Sequence, residues 1–223
     1  MNLTLITIAL LTTLGMKVPS GLIKNQELPV AQIARPELSA PVPIKQTDTD
    51  PYLRAASVYV VDATTGTVLY QKDANTARPI ASLTKIMTIL TILKDHKPDE
   101  QVTIPKLNPY KQGDALAGLV PGDSLKLKDL VAAALIPSDN DAADTLAIYD
   151  SGTKEKFYGK MNTIAQEWGM TSTHFASASG LQDANNYASA QDVATMARLG
   201  LHRSLFKDLT STKQMSVTSK QGR

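Results

Sequence analysis

The spacing of apolar positions changes three times along the chain. The first sixteen residues, "MNLTLITIALLTTLGM", form an almost unbroken apolar and threonine-rich run. Residues 17–51 lose that run and hold six prolines (Pro19, Pro29, Pro36, Pro41, Pro43 and Pro51) with little apolar periodicity. Proline at this density denies helix and central strand, which predicts an extended linker. From residue 56 the pattern tightens. "ASVYVVD" (56–62) has the β-branched density of a strand, "ATTG" (63–66) is turn material and "TVLYQ" (67–71) alternates, so the three predict a β-hairpin. Helical spacing follows. "SLTKIMTILTILKDH" (82–96) is apolar on nearly every face, the pattern of a buried helix. "GDSLKLKDLVAAALIP" (122–137) predicts a second helix ended by Pro137, and residues 140–150, 153–169 and 189–202 predict three more. Ser189 three positions before Asp192 has the spacing of an N-cap. "KQMSVTS" (213–219) predicts the start of a late strand, and no internal repeat is present. Two strands, a run of helices and a return to strand predict an α+β fold with the helices segregated from one sheet.

Composition narrows the functional classes. At 223 residues, 43% hydrophobic and 20% charged, the chain can form one globular domain with a sizeable core and some length left over. The net charge of +2, the sparse aromatics and the lack of a phosphate-cradling glycine loop argue against nucleic acid as a partner. There is no cysteine, which removes thiol nucleophiles, disulfides and thiolate metal sites. His96, His174 and His202 are far apart without a His-x-x-x-His pair, so no metal site is expected and they read as surface or locally hydrogen-bonded residues. Residues 1–20 read as a signal peptide or membrane anchor, predicting export, with a buried N-terminal helix as the alternative. No Lys or Arg precedes the apolar run and no small-x-small cleavage site follows it. Residues 21–51 are then a proline-rich linker and 52–223 the folded domain.

One charge breaks the buried-helix pattern. Lys85 lies three residues after Ser82 among apolar neighbours, and residues three apart share a helix face. A serine hydroxyl becomes a nucleophile when a neighbouring base takes its proton. Lysine can be that base where burial lowers its pKa from about 10.4, and a helix N-terminus would favour a developing oxyanion. Snorkelling of Lys85 to the surface from the first turn is the bland alternative. Ser-x-x-Lys recurs at Ser151–Lys154 and Ser204–Lys207; there the lysines read as solvated. "AAALIPSDNDAAD" (132–144) delivers Ser138 and Asn140 between two helices. Ser138 could relay a proton, and Asn140 could hold the lysine and a substrate carbonyl. Taken singly, "SDND" is better read as the cap of the helix that follows, and both readings can hold at once.

The blocks "AASVYVVDATTGTVLYQKDANTARPIASLTKIMTIL" and "LVPGDSLKLKDLVAAALIPSDNDAADTLA", with "MNTIAQEWGMTSTHFASASGLQDANNYASAQDVATMARL" (161–199), resemble the serine-type D-alanyl-D-alanine carboxypeptidases. These are the low-molecular-weight penicillin-binding proteins of peptidase S11 type. The resemblance implies a β-lactamase/penicillin-binding transpeptidase-like fold, a helical cluster beside an antiparallel sheet with Ser82 between them. It implies that Ser82 is acylated, that Lys85 accepts its proton, that Ser138 shuttles protons and that Asn140 positions Lys85 and the substrate. The substrate would be a peptidoglycan stem peptide ending in D-Ala-D-Ala, with β-lactams acylating Ser82 as mimics. The setting would be outside the bacterial cytoplasm, with an N-terminal membrane tether compatible. No metal or organic cofactor is implied. The family's third element, Lys-Thr-Gly or Lys-Ser-Gly, does not occur; "GTK" at 152–154 runs in reverse order. The expectation is therefore a domain incomplete at its C-terminus, whose hairpin lacks strand partners, with an inactive wall-binding module as the alternative to a fragment of an enzyme. A class A β-lactamase would need a deacylating glutamate in a Glu-x-x-x-Asn pattern, whereas Glu155 leads to Gly159 and Glu167 to Thr171.

Overall fold

A computed structural model describes residues 51–111, 113–181 and 184–217. The leader expected at 1–20 and all but the last residue of the linker expected at 21–51 lie outside the described residues. Strands β1 (Val58–Val61) and β2 (Val68–Lys72) pair antiparallel in the predicted hairpin, with Val58 opposite Lys72 and an irregularity between Val60 and Val61. The connecting turn is held by Asp62, whose Oδ1 accepts the N–H of Thr64 and of Thr65 at 3.1 and 2.6 Å. Two further ribbons were not legible as strands. β3 (Arg78–Pro79) pairs with β6 (Tyr187–Ala188), and β4 (Gln101–Thr103) pairs with β5 (Ser124–Lys126). At two or three residues each, they are too short to show alternation.

The helices are α1 (Thr84–Asp95), α2 (Leu127–Leu135), α3 (Asn140–Ser151), α4 (Lys154–Glu167), α5 (Ala190–Leu201) and α6 (Ser204–Thr210). α1 is the central element and packs against α2, α3, α4 and α5. Its burial explains its all-round apolarity: Met87, Ile89 and Ile92 have no exposed surface, nor do Thr88 and Thr91. Alanines 132–134 and 142–143 are buried where α2 meets α3, and small side chains let two helix backbones approach closely. Phe157 and Met161 of α4 and Phe175 complete the core, each burial being worth about 1.5–3 kcal/mol. The N-cap at Ser189 is present, with Ser189 Oγ accepting the N–H of Asp192 at 3.1 Å.

The fold is α+β, as expected, with four differences. There is no single sheet among the described residues: the strands form three separate two-stranded ribbons, and the β1–β2 hairpin is supported by α5. The segment read as one helix at 122–137 begins as β5, because Leu125 pairs opposite Val102 and buries there before α2 starts. Residues 213–217 carry no strand, and residues 218–219 of that expected element lie outside the described residues. The helix α6 was missed; its seven residues give only two buried apolar positions, Phe206 and Leu209.

Candidate active site

Ser82 does not lie within α1. It sits on the single 3-10 turn Ala81–Leu83 that leads into the helix, and it is exposed. Lys85, on the first turn of α1, is buried: only 2% of it is exposed. Its Nζ lies 3.1 Å from Ser82 Oγ, 3.2 Å from Ser138 Oγ, 2.9 Å from Asn140 Oδ1 and 3.0 Å from the Ser179 carbonyl. Lys85 therefore does not snorkel. Four acceptors stand where its apolar neighbours would otherwise leave it unpaired.

Ser138 and Asn140 arrive through the turn between α2 and α3. Asp139 N–H donates to Ala133 O at 3.0 Å and Asn140 N–H to Ala115 O at 2.8 Å. Ser138 takes a left-handed backbone (φ +67°), a conformation costing a non-glycine residue about 1 kcal/mol or more. The following residues hold the 115–119 loop against the site, since Asp141 accepts the N–H of Ala117 and of Leu119 at 2.9 and 3.1 Å. Capping accounts for only part of this segment: Asp141 Oδ1 accepts the first-turn N–H of Ala142 at 2.9 Å. The N-cap of α3 is Asp139, and its side chain makes no capping bond, whereas Asn140 turns its oxygen to Lys85.

These contacts constrain the protons. Asn140 Oδ1 and the Ser179 carbonyl can only accept, so they take two N–H bonds of Lys85. The third position on nitrogen faces the two hydroxyls. In the neutral amine that position is a lone pair able to accept a proton from a serine. Burial favours this state: it pulls the Lys85 pKa from 10.5 down to about 8, against the opposing pull of Asp139 and then Asp144. Asp139 is itself pushed up by burial and by Asp141, with Lys85 pulling it back. The Asp144 carboxylate accepts from Tyr110 Oη at 2.8 Å and pairs with Lys154 at 3.1 Å.

The other two Ser-x-x-Lys pairs are not brought together as sites. Ser151 Oγ donates to Asp150, while Lys154 reaches Asp144 across to α3 and so is not simply solvated. Lys207 is exposed. His96 lies 2.8 Å from Glu100 Oε2 and 3.2 Å from Asp150 Oδ1, and His174 Nδ1 is 2.7 Å from the Asn185 carbonyl. Among the described residues no cluster of three His, Asp or Glu is arranged for a metal, and no helix is long and apolar enough to cross a membrane.

Sequence reasoning missed the fourth wall. The segment 177–181 supplies the Ser179 carbonyl, 94 residues from Lys85. A backbone acceptor leaves no residue-type signature at such a distance. An apolar groove of about 620 Å³ opens beside Ser82 and Ser138, floored by Ile80, Ile86, Leu135, Leu201 and Phe206. A polar cavity of about 280 Å³ lies beyond Ser179, bounded by Tyr110, Asp144 and Lys154.

Residues 44–222 match the family model described as D-alanyl-D-alanine carboxypeptidase, of peptidase S11. The chain belongs to this family. Among the S11 relatives, it is 34% identical over 148 residues to D-alanyl-D-alanine carboxypeptidase DacF of Bacillus subtilis, a match covering 65% of this chain and 38% of DacF. It is 35% identical over 176 residues to the D-alanyl-D-alanine carboxypeptidase of Streptomyces sp. strain K15, covering 74% and 60% of the two. The chain thus spans between about two fifths and three fifths of these curated relatives. Among solved structures, Streptomyces K15 DD-transpeptidase superposes with a TM-score of 0.68 at 31% identity, over 78% of this chain and 72% of that one. Penicillin binding protein 6B of Escherichia coli gives a TM-score of 0.72 at 30% identity, over 81% and 61%. The S11 chain described here therefore has the α+β architecture of those penicillin-binding enzymes.

Proposed function

We propose that the protein is a serine-type D-Ala-D-Ala carboxypeptidase that removes the terminal D-alanine of peptidoglycan stem peptides through an acyl-enzyme on Ser82. The observation that carries this reading is the fourfold environment of Lys85 Nζ, which leaves its third position for the Ser82 and Ser138 hydroxyls. Neutral Lys85 takes the Ser82 proton as Oγ attacks the carbonyl of the penultimate D-alanine. The peptide bond to the last D-alanine breaks, and Ser138, 3.2 Å from the same nitrogen, returns the proton to the leaving amine. Water then releases the acyl group by the reverse path. Asn140 fixes Lys85 through Oδ1, leaving its amide NH₂ for a substrate carbonyl. The N-terminal end of α1 and its leading turn put a positive dipole end at Ser82, where the oxyanion develops.

The same chemistry makes β-lactams substrate mimics that acylate Ser82. A substrate on peptidoglycan sets the work outside the bacterial cytoplasm, with residues 1–20 as export signal or tether. A second reading is penicillin or wall-peptide binding without turnover, which the apolar groove of about 620 Å³ beside Ser82 and Ser138 would also support. One experiment separates them. Incubation with a diacyl-D-Ala-D-Ala peptide, with released D-alanine quantified, should show release that Ser82→Ala abolishes. Labelling by fluorescent penicillin without D-alanine release would favour the second reading, and labelling that survives Ser82→Ala would overturn the role of Ser82.

A further inference from the structure

Ser82 is exposed on a turn of three residues, and a short turn does not by itself hold a side chain to a few tenths of an ångström. The residue before it is strained. Ala81 has φ +45°, left-handed geometry that costs an alanine energy it must recover from neighbours. A directed chain of bonds converges on that residue. Thr84 is fully buried, and its Oγ1 donates to the Ala81 carbonyl at 2.7 Å. Because a carbonyl only accepts, the Thr84 proton is committed there, and Thr84 Oγ1 can accept from a second group. Asn186, 2% exposed, supplies it by donating from Nδ2 to Thr84 Oγ1, and its own Oδ1 accepts the Ala176 N–H at 3.3 Å. The β3–β6 ribbon explains the meeting. β3 ends just before the turn, β6 begins just after Asn186, and Pro79 pairs opposite Tyr187. Gly180 closes the same contact from the side. At φ +80° a Cβ there would stand 1.9 Å from the Ala81 carbonyl oxygen and 2.8 Å from Thr84 Oγ1.

We infer that Thr84 and Asn186 are positioning residues for Ser82, holding the strained Ala81 carbonyl so that the turn presents the Ser82 hydroxyl to Lys85. The functional half of this inference rests on the acyl-enzyme reading above; the anchoring half does not. Neither residue contacts Lys85 Nζ, whose partners are Ser82, Ser138, Asn140 and Ser179. Their loss should therefore lower the rate of acylation without moving its pH dependence.

The test compares the wild-type chain with Thr84→Val, which keeps the shape and removes the hydroxyl, and Thr84→Ser, which restores it. The first readout is amide exchange of Leu83, whose N–H spans the turn to the Ile80 carbonyl at 3.1 Å, under conditions where every variant is folded. The second is the limiting rate of acylation by a fluorescent penicillin across pH. Thr84→Val should speed Leu83 exchange and slow acylation, each about tenfold, the scale of one lost hydrogen bond. Its pH midpoint should stay in place, and Thr84→Ser should recover both values. Asn186→Asp keeps the acceptor for Ala176 but loses the donor to Thr84; it is judged by the same readouts and decides the matter if Thr84→Val does not fold. A variant that melts earlier while exchanging Leu83 and acylating at wild-type rates would overturn the inference. Wild-type protein that is never labelled would overturn the acyl-enzyme reading, while Leu83 exchange would still decide the anchoring.

Discussion

Titrating Lys85 is the sharpest perturbation of the proposed chemistry, because its two protonation states have opposite consequences for Ser82. With a pKa of about 8, the neutral amine makes up about 10% of the protein at pH 7, half at pH 8 and about 90% at pH 9. The second-order rate of acylation by a penicillin reports the free enzyme, so it should rise about tenfold between pH 7 and 9 and then level. A lysine at its ordinary 10.5 would instead give a rise of about a hundredfold over the same span, with no plateau. Folding stability carries the matching signature. Between about pH 8 and 10.5 the unfolded chain holds a proton that the folded chain has released, so stability rises with pH through that window. Below pH 8 both forms are charged and the cost of burying the charge is fully present. From 10.5 to about 8 that cost is at most about 3 kcal/mol, reduced by whatever water the groove beside Ser82 admits to the amine. Asp139 holds the Lys85 pKa up, so Asp139→Asn should move the midpoint of the acylation profile to lower pH. Stopped-flow acylation from pH 6 to 10 is the assay. A flat profile would refute the assignment of Lys85 as the base; a climb that continues unbroken past pH 9 would refute its lowered pKa, and a midpoint that Asp139→Asn moves upward would refute the pull ascribed to Asp139.

Gly180→Ala places a methyl on the Ala81 carbonyl at a positive-φ position. It should cost about 3 kcal/mol or more in denaturant unfolding and slow penicillin labelling. Gly152→Ala has a similar φ (+77°) but open space, so about 1 kcal/mol and unchanged labelling are expected; equal costs at the two glycines would refute the role given to close approach. Asp141→Ala removes the acceptor for Ala117 and Leu119. It should destabilise by about 1–3 kcal/mol and speed amide exchange in residues 115–119, measured by hydrogen-exchange mass spectrometry. Phe157→Ala empties a fully buried position and should lower stability by about 3–5 kcal/mol, read from urea unfolding, while penicillin labelling of the remaining folded protein persists.

Much of the molecule was legible because its signals are local. The apolar run of α1 fixed a buried helix, the 56–71 pattern a hairpin, and Ser189 a helix start. The site was legible in its side chains: Ser82, Lys85, Ser138 and Asn140 do meet at one nitrogen. Local pattern could not choose between a buried and a snorkelling Lys85, since both place a lysine in a first turn. The choice depends on acceptors 53 to 94 residues away. What remained invisible was backbone. The Ser179 carbonyl, the left-handed Ala81 and Ser138, and the two-residue pairing of β3 with β6 arise from tertiary packing. None of them has a residue type or a period that announces it.

The proposed reaction passes through a covalent bond at one oxygen, Ser82 Oγ. Intact-mass and peptide mass spectrometry after incubation with benzylpenicillin measures that bond directly. Acylation of Ser82 with Lys85 as base should give a single adduct with the mass of one penicillin on the peptide carrying Ser82, lost in Ser82→Ala and formed far more slowly in Lys85→Ala. An adduct on another residue, or an adduct on Ser82 that forms as fast without Lys85, would contradict it.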